Sequence, residues 1–182
     1  MSEELLVRHC APTLADLKTA NMFSCKFPSE AEMRGHVRKL NGIFVKKGLR
    51  VLPLRYRNGK ALLYVFRPER LKSDLCDQTA CALLRERGYC SGQPAQCVTQ
   101  LIRRMEATGD VPHEIGLFLG YPPEDVSGFM ENREPCKCAG PWKVYSDPEK
   151  AQELFACYKK CTKLYCDQWE KGVSLEHLTV KS

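Results

Sequence analysis

The fold of this chain is expected to be built on one stretch, residues 51–66, which reads VLPLRYRNGKALLYVF. Two apolar runs, rich in β-branched and aromatic residues, flank Asn58-Gly59. Asn-Gly is the pair that a two-residue type I′ hairpin turn prefers, because both turn residues need positive φ. The stretch therefore predicts a β-hairpin with strands at 51–57 and 60–66.

The two-residue turn also determines which side chains face each other across the hairpin. The apolar pairs that it predicts on one face are Leu52–Val65, Leu54–Leu63 and Tyr56–Ala61. Pro53 has no N–H to donate to a neighbouring strand. We therefore expect the first strand to lie at an edge of the sheet or to carry a bulge.

Helical patterns surround the hairpin. Ser29 with Glu32 forms a capping box, and it opens an amphipathic helix that should run to about Lys47 and end at Gly48. Upstream, Pro12 is typical of a first helical turn, so a short helix is predicted from about Thr13 to Ala20, followed by a loop.

Further helices are expected after the hairpin, beginning at Pro68, at Pro94, on both sides of a turn at 120–123, and at Pro148. A short strand is expected around Trp142. The predicted fold class is α+β: a single helix-rich domain over residues 1–182, around a small sheet that contains the hairpin 51–57/60–66.

The composition is that of an ordinary globular protein, with 43% hydrophobic and 27% charged residues. No apolar run approaches the ~20 residues of a membrane helix. The first residues are acidic and lack the apolar core of a secretory signal. These features predict a cytoplasmic protein without membrane contact, in which most of the 11 cysteines are free thiols.

Basic residues are concentrated between Glu32 and Glu69, where the sequence has no acidic residue. Such an excess attracts anions, so one hypothesis is a basic interaction module for an anionic partner. The alternative is a solvated surface that is balanced by acidic segments elsewhere. The pattern argues against nucleic-acid binding, because Tyr56 belongs to the core-facing side of the hairpin and no glycine loop of the phosphate-binding kind is present. Nothing in the sequence indicates an oligomeric state.

Four segments are distinctive as a set. They are HCAPTL (9–14), LLYVFR (62–67), PHEIGLFLGYP (112–122) and GPWKVY (140–145). Together they resemble a family of uncharacterised proteins from anaerobic bacteria that is classified as a domain of unknown function. The resemblance covers nearly the whole chain and implies a free-standing cytosolic protein. It implies no activity, cofactor or catalytic residue, so function has to be inferred from the chemistry of the residues.

The first candidate chemistry uses a cysteine and a histidine. Cys10 follows His9 and precedes the predicted helix, and a helix N-terminus or a cationic imidazole lowers the pKa of a thiol. In papain-like folds the histidine comes from a later segment, and His113 beside Glu114 is the candidate here.

These residues predict a thiol-dependent hydrolase or acyltransferase that acts on a small anionic or peptide substrate. The catalytic candidates are Cys10, His113, Glu114 and His9, and the substrate-binding candidates are Lys18, Arg67 and Tyr121. The alternative is that Cys10 is a small core residue and His9 a satisfied polar one. The sequence leaves open whether the chain is an enzyme.

The second candidate chemistry is metal or cofactor binding without catalysis. A loop pair and a helical pair of cysteines provide the ligands, namely Cys136, Cys138, Cys157 and Cys161. Four thiolates can hold zinc or an iron–sulfur cluster, although this loop spacing is tighter than usual. Haem at His9-Cys10 is a further hypothesis, without a C-x-x-C-H motif to support it. The alternative is that these thiols pack the core or lie in an exposed loop.

One metal site is excluded by the sequence. His113-Glu114 resembles the start of the zinc-protease motif His-Glu-x-x-His, but position 117 is leucine. A metalloprotease site of that type is therefore rejected.

Overall fold

The structure is a computed structural model that describes residues 3–132 and 135–181. Its helices and strands follow each other in this order: α1 (Glu3–Leu14), β1 (Ala20–Lys26), α2 (Glu30–Phe44), a 3₁₀ turn (Val45–Lys47), β2 (Arg50–Arg57), β3 (Lys60–Phe66), α3 (Pro68–Leu75), α4 (Gln78–Glu86), α5 (Pro94–Thr108), α6 (Ile115–Phe118), α7 (Pro123–Met130), β4 (Cys138–Ala139), β5 (Lys143–Val144), α8 (Pro148–Glu170) and α9 (Leu175–Leu178). The fold class is α+β, as predicted.

The chain divides into two compact units. The first consists of Met1–Glu69 together with Tyr158–Ser182, and the second of Arg70–Cys157. Helix α8 therefore contributes residues to both. A single domain over residues 1–182 stays a prediction. Among the helices of the described residues, none is long and apolar enough to cross a membrane.

The hairpin is confirmed in the first unit. Strands β2 and β3 pair antiparallel, and Tyr56 lies opposite Ala61. Asn58 and Gly59 have φ of 52° and 72°, the positive values that a type I′ turn requires. The strand order is β1-β3-β2, so β3 is central and β2 is an edge strand.

Pro53 alters the register of the hairpin. A bulge between Pro53 and Arg55 shifts the pairing by one residue, so that Leu52 lies opposite Tyr64 and Pro53 opposite Leu63. The predicted pairs Leu52–Val65 and Leu54–Leu63 are therefore wrong, because the bulge places an extra residue on β2. An edge strand or a bulge was predicted at Pro53, and the structure has both: β2 is an edge strand, and it carries the bulge.

The N-terminal segment differs from the prediction. Helix α1 covers Glu3–Leu14, and Pro12 lies in its last turn rather than its first. Residues 20–26 form strand β1 where a loop was expected, because they pair with β3 along its whole length. The helix predicted from Thr13 to Ala20 is therefore wrong.

Helix α2 begins as predicted. The Ser29 side chain accepts a hydrogen bond of 3.2 Å from the backbone N–H of Glu32. The apolar face packs into the core of the first unit through Met33, Val37, Leu40 and Phe44. After α2, the 3₁₀ turn leads to Gly48, whose φ of 76° ends the segment where the sequence predicted.

The second unit contains α3 from Arg70 onward, α4 to α7, the two-stranded β4–β5 sheet and the first part of α8. The helices predicted at Pro68, Pro94 and Pro148 are confirmed, as is a strand next to Trp142. Helices α6 and α7 are joined by residues 119–122, in which Gly120 has a φ of 73°. This connection and the segment before β5 surround the cavity described below.

Candidate functional site

A cavity of about 230 Å³ lies in the second unit. Its wall is formed by the loop at 111–113, by α6, by α7 and by the segment 141–143 that leads into β5. Most of the lining side chains are apolar, among them Val111, Ile115, Val126 and Trp142. Two of the distinctive sequence segments, at 112–122 and 140–145, thus contribute to one cavity.

One side of the cavity depends on a close approach of α6 and α7 at Gly116. A Cβ atom at this position would lie 2.7 Å from Cγ2 of Val126 and 3.1 Å from the Tyr121 ring. The first distance is shorter than a Cβ contact allows, and the second is tighter than most contacts in a packed interior. Glycine is therefore required for this packing of the two helices.

Asp125 fixes the wall that α7 forms with the segment leading into β5. Its carboxylate is 2% exposed and accepts a hydrogen bond of 2.7 Å from Nε1 of Trp142. It also accepts bonds of 2.8 Å from the backbone N–H groups of Tyr145 and Ser146. Three charge-assisted bonds to one carboxylate hold β5 against α7. Asp125 therefore anchors the wall of the cavity.

Trp142 forms an aromatic wall with two neighbours. Its ring stacks on that of Tyr121 at 4.7 Å between centroids and meets the Phe155 ring edge-on at 4.6 Å. The Tyr121 hydroxyl donates a hydrogen bond of 3.3 Å to the carbonyl of Pro141. Burial raises the pKa of Tyr121, so its phenol stays neutral. This wall presents aromatic surface to a ligand.

The rim of the cavity carries its most exposed polar groups. His113 and Lys143 are both exposed, and both lie against the ring of Phe129. The imidazole centroid is 5.0 Å from the Phe129 centroid, and Nζ of Lys143 is 5.8 Å from it. Phe129 itself is 37% exposed, which is unusual for a large aromatic side chain. An imidazole and an ammonium group thus flank an exposed ring at the rim.

Glu114 does not line the cavity, although it follows His113 in the sequence. Its buried carboxylate accepts a hydrogen bond of 3.0 Å from the Tyr89 hydroxyl and one of 3.4 Å from Nη1 of Arg104. Burial, and then the neighbouring Glu114, raise the pKa of Tyr89. Glu114 therefore anchors the loop before α6 to Tyr89 and to α5.

A family model described as "Protein of unknown function (DUF3793)" matches residues 6–179. The chain belongs to this family. The resemblance of its four distinctive segments to a family of unknown function is therefore confirmed, and the matched range includes the whole cavity. Neither the curated proteins nor the solved structures contain a match.

In this member of the DUF3793 family, Cys10 lies within α1 rather than ahead of a helix. Its side chain is wholly buried, and burial raises the pKa of the thiol, an effect that Lys18 opposes only in part. His9 is exposed on α1 and stacks on the ring of Phe23 at 5.5 Å. Cys10 thus has the environment of a core thiol, and its catalytic role stays a prediction.

The structure brings only some of the predicted site residues together. His113 and Tyr121 line one cavity, and Glu114 supports the loop beside it. Cys10 and His9 belong to the first unit, whereas His113 belongs to the second. Phe129, Trp142 and Asp125 line the cavity but were not among the predicted site residues. A buried tryptophan needs a partner for its N–H, and that requirement was the available signal for Asp125.

Arg67 is an interior residue of the first unit. It is 1% exposed, and its guanidinium donates hydrogen bonds of 2.8 Å to the carbonyls of Thr13 and Leu14 and one of 3.0 Å to that of Val180. It also forms an ion pair of 3.1 Å with Asp16. Cations are favourable at this end of a helix because the last carbonyls lack partners.

Lys18 lies close to the same helix end. It is buried and donates a hydrogen bond to the carbonyl of Ala20. The substrate-binding roles of Lys18 and Arg67 stay predictions, but the described contacts of both side chains are with the protein itself. Arg67 also belongs to the basic segment, and another member, Arg34, pairs with Glu30 at 2.6 Å. Binding of an anionic partner by that segment stays a prediction.

The four-cysteine metal site stays a prediction. Within residues 3–132 and 135–181, no group of three or more His, Cys, Asp or Glu side chains is placed to hold a metal ion. The proposed ligands differ in environment: Cys136 and Cys138 are half-buried, Cys157 is exposed and Cys161 is buried. All of the cysteines lie in the described ranges and are free thiols, as expected.

Proposed function

We propose that the second unit binds a small organic ligand with an apolar, preferably aromatic, body in the cavity between α6, α7 and the segment 141–143. One observation carries this proposal: the cavity is open to a ligand and has mainly apolar walls, while an imidazole and an ammonium group lie at its rim. Small-molecule sites typically combine a concave apolar surface with a few placed polar groups.

The rigidity of the walls supports the proposal. Asp125 holds Trp142 and the two residues that follow β5 through three hydrogen bonds, and Trp142 is packed between Tyr121 and Phe155. A ligand that enters such a site does not have to order its walls first. Less conformational entropy is then lost on binding.

Binding is better supported by this geometry than thiol-dependent hydrolysis or acyl transfer. A thiol nucleophile has to reach its substrate as the thiolate. Cys10 is wholly buried, and the residues described as lining the cavity include no cysteine. His113 is the predicted catalytic residue that the cavity does expose, and we propose that it contacts the ligand.

The test uses Trp142 as a reporter. The chain has 2 tryptophans, so the Trp169→Phe variant leaves a single indole N–H signal in a ¹⁵N-labelled NMR spectrum. We expect indole-3-acetamide, a neutral aromatic probe, to shift the Trp142 Nε1–H signal in a saturable way at millimolar concentrations. A spectrum that does not change up to the solubility limit of the probe would contradict the proposal.

A matched pair of isoleucine variants tests the location of the site. Ile115→Phe adds volume to a half-buried side chain that lines the cavity, whereas Ile102→Phe makes the same change at a half-buried position on α5 outside it. We expect Ile115→Phe to weaken probe binding by roughly tenfold, equivalent to about 1.4 kcal/mol, and Ile102→Phe to leave it unchanged. Equal effects of the two variants would place the probe elsewhere.

A further inference from the structure

We infer that the ligand of this cavity is an organic carboxylate, whose acid group lies at the rim between His113 and Lys143 while its apolar body occupies the interior. The inference rests on the proposed function and adds the charge and the orientation of the ligand. It is carried by the placement of the charged and polar groups around the cavity.

The rim attracts an anion. Lys143 supplies a positive charge and His113 an imidazole that can donate a hydrogen bond. Both side chains are exposed, and both contact the exposed ring of Phe129, at 5.8 Å from Nζ and 5.0 Å between ring centroids. One aromatic side chain therefore holds two donors at the same part of the rim.

The interior repels an anion. Asp125 is among the lining residues, and its carboxylate is already saturated by Trp142 and by two backbone N–H groups. A second carboxylate beside it would meet a like charge in a poorly solvated wall. The Tyr121 hydroxyl is committed to the carbonyl of Pro141, so it does not compensate for this repulsion. The acid group of a ligand is therefore directed outward, and only an uncharged body fits inside.

The donors at the rim favour a carboxylate over a more highly charged group. Bidentate arginine clamps and clustered backbone N–H groups are typical of phosphate sites, and the described lining includes no arginine. One ammonium and one imidazole match a monoanion. Because both are exposed to water, we expect a preference of about five- to tenfold for the acid over a neutral analogue.

The experiment compares indole-3-acetate with indole-3-acetamide, which share the ring and differ in charge. Affinities for the full-length chain are measured by NMR titration at low ionic strength and again in 0.5 M NaCl. We expect the acetate to bind about five- to tenfold more tightly at low salt and to lose most of that advantage at high salt, with little change for the amide. This comparison requires no substitution and is independent of folding defects.

Variants then assign the donors. Lys143→Gln and His113→Gln are each expected to lower the ratio of the acetate affinity to the amide affinity, because each removes one of the two donors proposed to hold the acid group. Lys72→Gln is the control, because it removes the same charge from an exposed position on α3 that does not line the cavity. A preference that persists in the Lys143→Gln/His113→Gln double variant would overturn the inference.

The outcomes separate the two proposals. Equal affinities for the two probes, or tighter binding of the amide, would overturn the carboxylate inference and leave the proposed binding function in place. If neither probe binds, the proposed function is itself contradicted, and the inference is lost with it. Salt-sensitive acetate binding that Lys143→Gln weakens and Lys72→Gln does not would support both.

Discussion

Cys10 shows how far the surroundings of a residue decide its chemistry. The sequence allows either a reactive thiol beside a histidine or a small core residue, and the structure buries the side chain among apolar residues of α1 and of the sheet. Burial raises the pKa of the thiol, so it stays protonated at neutral pH and is a poor nucleophile.

The reactivity of Cys10 gives a direct measurement. We expect iodoacetamide to alkylate Cys10 at least about tenfold more slowly than the exposed Cys76 and Cys157 in the native protein at neutral pH. In guanidinium chloride the rates should become similar, because all three thiols are then solvated. Peptide mass spectrometry over a time course measures both. Preferential labelling of native Cys10 would instead support the prediction of thiol catalysis.

Asp125 has a structural role that its local sequence does not reveal. An acid near the start of a helix has an ordinary local explanation in the helix dipole. Its actual partners are Trp142, Tyr145 and Ser146, which follow it by 17 to 21 residues and reach it only when β5 packs on α7. His113 and Tyr121 could be predicted as site residues from their sequence motif. The cavity wall could not, because it depends on the contacts of Asp125 with residues that are distant in the sequence.

At the scale of elements, prediction succeeded where the signal is local. The Asn58-Gly59 turn fixes the hairpin within a few residues, and the Ser29 cap fixes the start of α2. Strand β1 has no comparable local signal. It is a strand because it pairs with β3 from Ala20 to Lys26, and that pairing joins segments about 40 residues apart. Pro12 lies in the last turn of α1 rather than in a first turn, although a proline there has no N–H to donate to the preceding turn.

Glycines in α2 and α7 provide a prediction about elements. A Cβ atom at Gly35 or Gly42 would meet nothing within 4 Å, so alanine there gains helix propensity without a clash. We expect each of these Gly→Ala variants to raise the free energy of unfolding by about 0.5–1 kcal/mol, as measured by urea denaturation.

Gly128 in α7 is the matched contrast. A Cβ atom there would lie 2.6 Å from Cγ of Tyr145, whose N–H is bonded to Asp125. Gly128→Ala should therefore lower the free energy of unfolding by about 1–3 kcal/mol, despite the same gain in helix propensity. If Gly128→Ala stabilised the protein as Gly35→Ala does, the close packing of β5 on α7 would be wrong.

For the whole molecule, the first unit has to be assembled from the two ends of the chain. Arg67 joins the end of α1 to Val180, and Nζ of Lys47 donates a hydrogen bond of 2.9 Å to the carbonyl of Thr179. Both residues belong to the basic segment between Glu32 and Glu69, for which an anionic partner is predicted. Backbone carbonyls near the C-terminus satisfy part of this charge, which no local pattern reveals because those carbonyls lie more than 110 residues away in the chain.

Both units share a further property: burial keeps several of their thiols and phenols neutral. Burial raises the pKa of three groups in the first unit (Cys10, Cys25 and Tyr165) and of three in the second (Tyr89, Cys97 and Tyr121). In the unfolded chain these thiols and phenols ionise near their ordinary pKa values of 9.0 and 10.0. Above about pH 9 the unfolded state therefore binds fewer protons than the folded state, and its free energy falls relative to that of the folded state.

The free energy of unfolding should consequently decrease from pH 9 to pH 11, with a slope of about 1.4 kcal/mol per pH unit for each group that is ionised only in the unfolded state. Urea denaturation at a series of pH values, under reducing conditions, measures this slope. Cys10→Ala should make the slope shallower by up to about 1.4 kcal/mol per pH unit. Cys76→Ala, which removes an exposed thiol, should leave the slope unchanged. A slope that is the same in the two variants would mean that Cys10 ionises in the folded protein, and the argument for an inert core thiol would then fail.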